Sequence, residues 1–312
     1  MNAGVTMGKG AGPAFARATA AGLALAGLLA FAPASALAQG LPGLGGGPNP
    51  VEVNAEQAIE WHQDIRAYVA RGNASAKRND STVYADVLTA YYREVPGKGN
   101  EVFQLVADGN VRIVSPSQTV FGERGVYDVD KQVAVVTGGN LKLVTRTDVV
   151  TARDTLEYYE ARDMAVARGD ALAVRQSNGD RLRADVLIGQ FRKMPDGTTQ
   201  MERIDGSGNV VVTTSTDVAL SDKLVYSVAD ETAVLLGNVK ITRNDNQLNG
   251  EAAEMNTRTK VNRVIAGPAT GGRVMGLLVP GQEPGTPGAP ASGKPSGRSS
   301  PAEASPSKPS KP

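Results

Sequence analysis

The sequence predicts an all-β domain of about a dozen or more antiparallel strands, stacked as a solenoid-like sandwich or jelly roll. Two observations carry that prediction. First, a Gly followed by Asn or Asp, then alternating apolar residues, recurs at Gly72-Asn73, Gly109-Asn110, Gly139-Asn140, Gly169-Asp170, Gly208-Asn209 and Gly237-Asn238, with a degenerate seventh copy at Gly267. Second, an acidic residue trails each of the six by 13 to 15 residues: Asp86, Glu123, Asp154, Asp185, Asp222 and Glu251. Three intervals between copies are 30 residues and one is 29. The two longer ones, 37 and 39, hold Pro96-Gly97-Lys98-Gly99-Asn100 and Pro195-Asp196-Gly197, which read as inserted turns.

Each unit reads as two strands. Val111-Arg112-Ile113, Leu141-Lys142-Leu143 and Val239-Lys240-Ile241 alternate apolar with basic, so one face is buried and the other wet. After the acidic marks the alternation resumes. Leu88 and Ala90, Gly125 and Tyr127, Leu156 and Tyr158, Leu224 and Tyr226, and Ala253 and Met255 share one face, with Arg124, Glu157, Lys223 and Glu254 on the other. The alternation runs into each Gly-Asn from both sides, which favours a strand kinked at Gly over a tight turn. The turns then fall at Ser115 to Gln118, Thr145 to Thr147, Gln176 to Asp180 and Arg243 to Asn246. No stretch keeps a 3.6-residue period, so helix should be nearly absent. The acidic residues are expected to face outward near strand starts, where they blunt sheet edges.

The two ends read differently. Lys9 and Arg17 precede an uncharged Ala/Leu/Gly run from Ala18 to Ala32, and Ala36-Leu37-Ala38 supplies a cleavage site, so residues 1–38 are expected to be a cleaved signal peptide. The run of about 15 residues is short of the roughly 20 a spanning helix needs. Residues 39–49 read as a flexible linker, 50–280 as the folded domain and 281–312 as a disordered Pro/Ser/Lys-rich tail. Without Lys9 and Arg17, the 33 basic residues fall to 31 against 32 acidic ones, so nothing points to nucleic acid. The chain has no cysteine, and its core must hold it together unaided.

Catalytic chemistry has little to work with. The one histidine, His62, lies beside the one tryptophan, Trp61, and a single His without Cys makes neither a His-rich metal site nor a Cys-His pair. No catalytic residue, metal or cofactor is expected. The acidic ladder leaves one enzymatic alternative, a β-solenoid polysaccharide-active enzyme using Asp154 and Asp185, since stacked repeats can bring two carboxylates close. Calcium repeats are much shorter than these.

The predicted interior is aliphatic, with Ala74, Ala76, Ala171 and Ala173 where other copies carry Val or Leu. Either the walls pack closely there or they leave a groove for an apolar ligand. Acyl chains suit such a groove, because exposing a chain of about 12 carbons to water costs roughly 10 kcal/mol.

The chain resembles the OstA/LptA family of periplasmic lipopolysaccharide-transport proteins over roughly Pro50 to Pro280. The resemblance is carried by Pro50-Val51-Glu52-Val53-Asn54-Ala55-Glu56 at the start, by repeats such as Val234-Leu235-Leu236-Gly237-Asn238-Val239, and by Arg273-Val274-Met275-Gly276-Leu277-Leu278-Val279-Pro280 at the end. It implies a twisted β-jelly roll of about 12 to 16 antiparallel strands, open at both ends, that binds the lipid A acyl chains of lipopolysaccharide. It implies head-to-tail self-association, and a bridge from LptC at the inner membrane to LptD at the outer membrane. The lipid-facing residues would be the inward side chains Val111, Ile113, Leu141, Leu143, Leu156, Val210, Val212, Leu224, Val239 and Ile241. An LptC-like component of the same pathway is the nearest alternative and would keep its N-terminal segment in the membrane. An LptD would need a large downstream barrel, for which 312 residues leave no room. A structural scaffold with a filled interior is the remaining reading.

Overall fold

A computed structural model describes residues 51–97, 99–195, 199–256, 259, 262–267 and 271–279. The expected signal peptide, linker and tail lie outside the described residues. Alternation drives the described residues into eighteen strand segments. The first six are β1 (Glu52–Asn54), β2 (Ala58–His62), β3 (Ala67–Arg78), β4 (Ser81–Val95), β5 (Gly99–Val114) and β6 (Gln118–Asp128). Short segments follow: β7 (Val133–Thr137), β8 (Lys142–Thr145), β9 (Asp148–Thr151) and β10 (Thr155–Tyr159). Long ones resume with β11 (Met164–Arg175), β12 (Arg181–Lys193), β13 (Thr199–Thr213), β14 (Asp217–Ser227), β15 (Thr232–Arg243) and β16 (Asn246–Asn256). β17 (Asn262–Ile265) and β18 (Met275–Leu277) close the series, and a single 3₁₀ turn at Glu160–Arg162 is the only helix among the described residues.

Every pairing is antiparallel, and the ladder breaks at a fixed place on each strand. The register shifts between Arg71 and Ala74 on β3, Asp108 and Val111 on β5, Arg168 and Ala171 on β11, Ser207 and Val210 on β13, and Leu236 and Val239 on β15. Each shift spans a Gly-Asn or Gly-Asp, which is thus a β-bulge inside a long strand. The two sides of the bulge pair into separate ladders. One wall runs β2, β3 to β6, β7, β10, β11 to β16, β17. The other runs β1, β3 to β6, β8, β9, β11 to β16, β18. Leu187, Leu224 and Leu235 of the first wall share one buried cluster with Leu182, Val212 and Ile241 of the second, so the walls face each other across a crease at the bulges.

Interruptions at the crease explain the segment count. β1 and β2, β7 and β8, β9 and β10, and β17 and β18 are each one pass of chain broken where it bends, so eighteen segments make fourteen passes. The turns join β5 to β6, β8 to β9, β11 to β12 and β15 to β16 where the sequence placed them. Pro96-Gly97 closes the hairpin of the extended β4 and β5, as an inserted turn should.

The acidic residues are, with one exception, not at strand starts. Five of the six lie mid-strand, opposite the bulge, and only Asp154 stands at a strand start, just before β10; each sits against the crease glycine that follows it in sequence. Asn110 Nδ2 donates to Asp86 Oδ2 at 2.9 Å, Asn209 to Asp185 at 2.9 Å, Asn238 to Asp222 at 2.8 Å and Asn73 to Glu56 at 2.8 Å. The conformation demands those residue types. Gly208 has φ +74° and Asn209 φ +48°, a left-handed pair open to Gly and tolerated by Asn. A Cβ on Gly208 would run into the Asp185 carboxylate, and one on Gly109 into that of Asp86. The carboxylate fills the space above the glycine and accepts the neighbouring amide. At Gly169-Asp170 the donor is missing, and Arg153 holds Asp154 through two bonds of 2.8 and 3.0 Å while Arg183 holds Asp170. At the third copy an extra glycine intervenes, Glu123 covers both Gly138 and Gly139, and the strand breaks into β7 and β8.

Gly208→Ala should therefore destabilise the domain by about 2–4 kcal/mol, combining left-handed strain with a clash against Asp185. Gly97→Ala, whose Cβ meets nothing within 4 Å at φ +77°, should cost only the strain, about 1–2 kcal/mol. Urea titration of both variants checks this, and equal losses would contradict the clasp.

Candidate functional site

The interior surface is built from rows of register partners. On the first wall one row reads Ala70, Leu88, Ala107, Gly125, Val136, Leu156, Ala167, Leu187, Gly206, Leu224, Leu235 and Ala253. The second wall answers with Val53, Ala76, Val83, Ile113, Val120, Leu143, Val150, Ala173, Leu182, Val212, Ala219 and Ile241. Side-chain volume along these rows decides where space remains. Around Leu88, Leu105 and Tyr127 the first wall carries the small residues Ala70, Ala90, Ala107, Gly125 and Ala134, and a cavity of about 380 Å³ lies there. A second, of about 150 Å³, lies at the centre of the repeat series between Leu143, Leu156, Ala167, Ala173, Leu182 and Phe191. Beyond it Leu224, Leu235, Val212, Ile241, Tyr226 and Met255 fill the space beside Gly206, Ala219, Ala233 and Ala253, and the interior is a solid buried cluster from Val210 to Met255.

All ten residues read from the sequence as inward are buried or half-buried, but they occupy three different places. Val111, Leu141, Val210 and Val239, each directly after a Gly-Asn, sit in the crease at 1 to 2% exposure and border neither cavity. Ile113 borders the larger cavity, and Leu143 and Leu156 the central one. Val212, Leu224 and Ile241 are packed within the solid cluster, which Val210 and Val239 join from the crease. Of the four small residues singled out, Ala76 and Ala173 border the larger and the central cavity respectively, whereas Ala74 and Ala171 are fully buried in the crease. Sequence reasoning missed Ala70, Ala107 and Ala134, and it placed Ala90 on the apolar face with Leu88 without counting it among the ten. The available signal was that each lies two or four residues from a crease on the apolar side of the alternation.

The larger cavity reaches the first edge of the series, where Val51, Val53, Ile59 and Tyr68 border it. Trp61 stacks on Tyr68 with centroids 6.0 Å apart and donates from Nε1 to the Tyr92 hydroxyl at 2.7 Å. At the opposite edge Met275 and Leu277 are exposed. Edge exposure is concentrated there: Ile59 is 60% exposed at one end and Leu277 63% at the other.

Charged groups stand at the hairpin ends and outside. Arg175 Nε approaches Asp148 Oδ1 at 3.5 Å, both side chains nearly buried, beside the central cavity. In the solid part the corresponding Arg243 grips Asp217 with two bonds of 2.5 and 2.7 Å. Burial pushes the Tyr158 hydroxyl pKa up, with the Asp163 and Glu160 carboxylates adding to it, so this wall residue is neutral. Glu157 stands on the opposite face from Leu156 and Tyr158. Burial acts to raise its pKa, but hydrogen bonds from Thr155, Arg168 and Tyr159 prevail and hold it below the usual carboxylate range. His62 lies on the surface against Glu60, 2.6 Å away. Asp154 and Asp185, the pair an enzyme would need, are each committed to a crease at Gly169 and Gly208.

Residues 154–261 match the family described as LptA/(LptD N-terminal domain) LPS transport protein. The match takes in β10 to β16, hence the central cavity's far wall and the solid cluster, and it is to transport proteins rather than enzymes. No curated protein matches the chain. Among solved structures, the chain is similar to LptH, the LptA-homologous periplasmic component of the conserved lipopolysaccharide transport device from Pseudomonas aeruginosa. The TM-score is 0.35 and the identity 18%, over 43% of this chain and 95% of that one.

The hollow and solid parts should respond differently to truncation. Leu224→Ala, in the solid cluster, should cost about 2–5 kcal/mol because it opens a new void. Leu143→Ala, on a wall that already borders space, loses mainly the transfer term of about 1–2 kcal/mol. Chemical denaturation of the two variants measures the difference.

Proposed function

We propose that this chain is a periplasmic lipopolysaccharide-binding protein that carries the lipid between the inner and outer membranes, and that it works without catalysis. The observation that carries the reading is the apolar interior. Bare alanines face Ile113, Val83 and Ala76 across a cavity that opens at an unpaired sheet edge. Apolar lining of this kind suits acyl chains, whose exposure to water is costly. The match of residues 154–261 to lipopolysaccharide-transport proteins supports the same reading.

The parity of the fold supports head-to-tail association. The first pass runs from β1 in the second wall to β2 in the first, and the last runs from β17 in the first wall to β18 in the second. With fourteen passes, the last edge of one copy and the first edge of another meet antiparallel and in phase, with Ile59, Trp61, Met275 and Leu277 to cover. The same edges suit LptC at one end and LptD at the other as fold-related partners.

Photo-crosslinkers at Ile113 and Leu143 should trap lipopolysaccharide in cells, whereas one at Arg112, on the outer face over the Tyr84 ring, should not. Equal labelling from both faces would refute the carrier reading. Leu277→Arg should leave the circular dichroism spectrum intact and abolish concentration-dependent oligomers in light scattering. Oligomers that persist would place self-association elsewhere.

A further inference from the structure

We infer that the chain is two fused copies of one six-pass unit, so that residues 57–153 are a second copy of the unit that the transport-family match covers from residue 154. What the units carry is taken from the lipid-carrying reading above, whereas their number rests on the fold alone. Counted along the chain, passes one to six run from β1 to β8 and passes seven to twelve from β9 to β15.

The two halves agree beyond the Gly-Asn pattern that every second pass shares. β3 and β11, 97 residues apart, carry the same residue at seven of twelve positions, from Val69 and Val166 to Arg78 and Arg175. Two extra residues in the β11–β12 turn then raise the offset to 99, which links Asp86 to Asp185, Gly109 to Gly208 and Glu123 to Asp222. The loops repeat as well. The Tyr92 N–H donates to the Arg66 carbonyl at 2.9 Å, and the Phe191 N–H to that of Asp163 at 2.8 Å. The Val129 N–H reaches the Phe103 carbonyl at 2.9 Å, and the Val228 N–H that of Glu202 at 3.0 Å. Arg66 and Asp163 are both left-handed, at φ +51° and +44°. A two-pass repeat does not account for these contacts, because they belong to one hairpin in three. Among the described strands, β4–β5 and β12–β13 alone carry a second bulge, at Tyr91/Tyr92 and Gln190/Phe191. Both hairpins then continue into an arm that turns at a proline, Pro96 and Pro195.

The series stops partway into a third unit. Glu251 sits over Gly267 as Asp154 sits over Gly169, so passes thirteen and fourteen repeat passes seven and eight. What differs between the copies is the filling. Gly125 and Val136 of the first stand where the second has Leu224 and Leu235, so the hollow part and the solid part are variants of one frame. Fusion has a physical consequence for a bridge. Six passes at about 4.8 Å add about 29 Å of length. The join between the units is covalent, so the second stays in register with the first at any protein concentration.

The test removes and adds whole units in the full chain and reads urea unfolding. Deleting residues 74–170 joins Asn73 to Ala171, takes out six passes and should return the Phe191 N–H to the Arg66 carbonyl. Deleting residues 74–140 joins Asn73 to Leu141, which keeps the two-pass pattern and breaks the six-pass one. With eight passes in place of fourteen, the first variant should unfold in one cooperative transition with an m value about 0.6 of the full chain's. The second should lose its transition, or unfold at least about 1 M urea before the first. Equal midpoints, or a folded second variant beside an unfolded first, would overturn the proposal. An insertion decides the case in which neither shortened chain folds. Repeating residues 74–170 after Asp170 should lengthen the protein by about 29 Å in small-angle X-ray scattering. An inserted chain that unfolds, or that keeps its original length, overturns the proposal as well. All three variants retain both end edges, so each should still form concentration-dependent oligomers. A folded but monomeric variant would defeat the self-association reading and leave the duplication standing.

Discussion

The structure depends on one repeated contact, a carboxylate seated over a glycine that cannot carry a side chain. A flat antiparallel sheet of fourteen passes would expose one apolar face along its whole length. The left-handed Gly-Asn pair turns each strand through a bulge, and the Asp or Glu from the preceding pass occupies the vacated space and accepts the Asn amide. Because the contact joins neighbouring passes, one bend aligns the next, and the bulges line up into a crease. Among the described residues the sheet then folds back on itself without disulfides and with no helix beyond the 3₁₀ turn at Glu160–Arg162. These contacts lie near the surface, so their worth is geometric. They fix where the chain bends, and the burial inside the fold supplies the stability.

Once the crease is set, register does the rest. Each residue directly after a Gly-Asn falls into the angle between the walls, and each residue two positions later looks across the interior. That is why Val111 and Ile113, identical in pattern, have different surroundings: the first is a structural residue of the bend and the second a cavity wall. The same division separates Leu141 from Leu143 and Ala171 from Ala173. Glu123 and the doubled glycine after Thr137 break the strand into β7 and β8 beside the buried cluster of Val120, Val136 and Leu141 without altering this division.

Much of this was legible in the sequence, because it is local. Period-2 alternation gave the strands and their inward faces, and the unbroken alternation through Gly-Asn gave a kink in place of a turn. The acidic residues face outward, all but Glu251 exposed, but five of the six were misplaced at strand starts, for a specific reason. Their constant spacing is from the Gly-Asn before them, whereas their contact is with the one after, at separations that the inserted turns alter. Spacing along the chain reports the repeat, and pairing across the sheet reports the partner. The sites were less legible still. Leu156 and Leu224 stand at equivalent positions after their acidic marks, yet one borders a cavity and the other is in solid core. Their difference is set by residues on strands far away in sequence.

The contrast between hollow and solid parts follows from a sum that no single repeat contains. Opposite Ile113 the first wall offers Ala107 and Gly125, and the gap stays open. Opposite Val212 and Ile241 it offers Leu224 and Leu235, and the gap is filled. An interior filled throughout would make a stiffer protein with no space for a ligand. One bare throughout would forfeit burial of roughly 1.5–3 kcal/mol for every large side chain removed. A chain without disulfides cannot give up that term along its whole length. The solid cluster can therefore be understood as the part that keeps the walls together, so that the alanine-lined part can stay open.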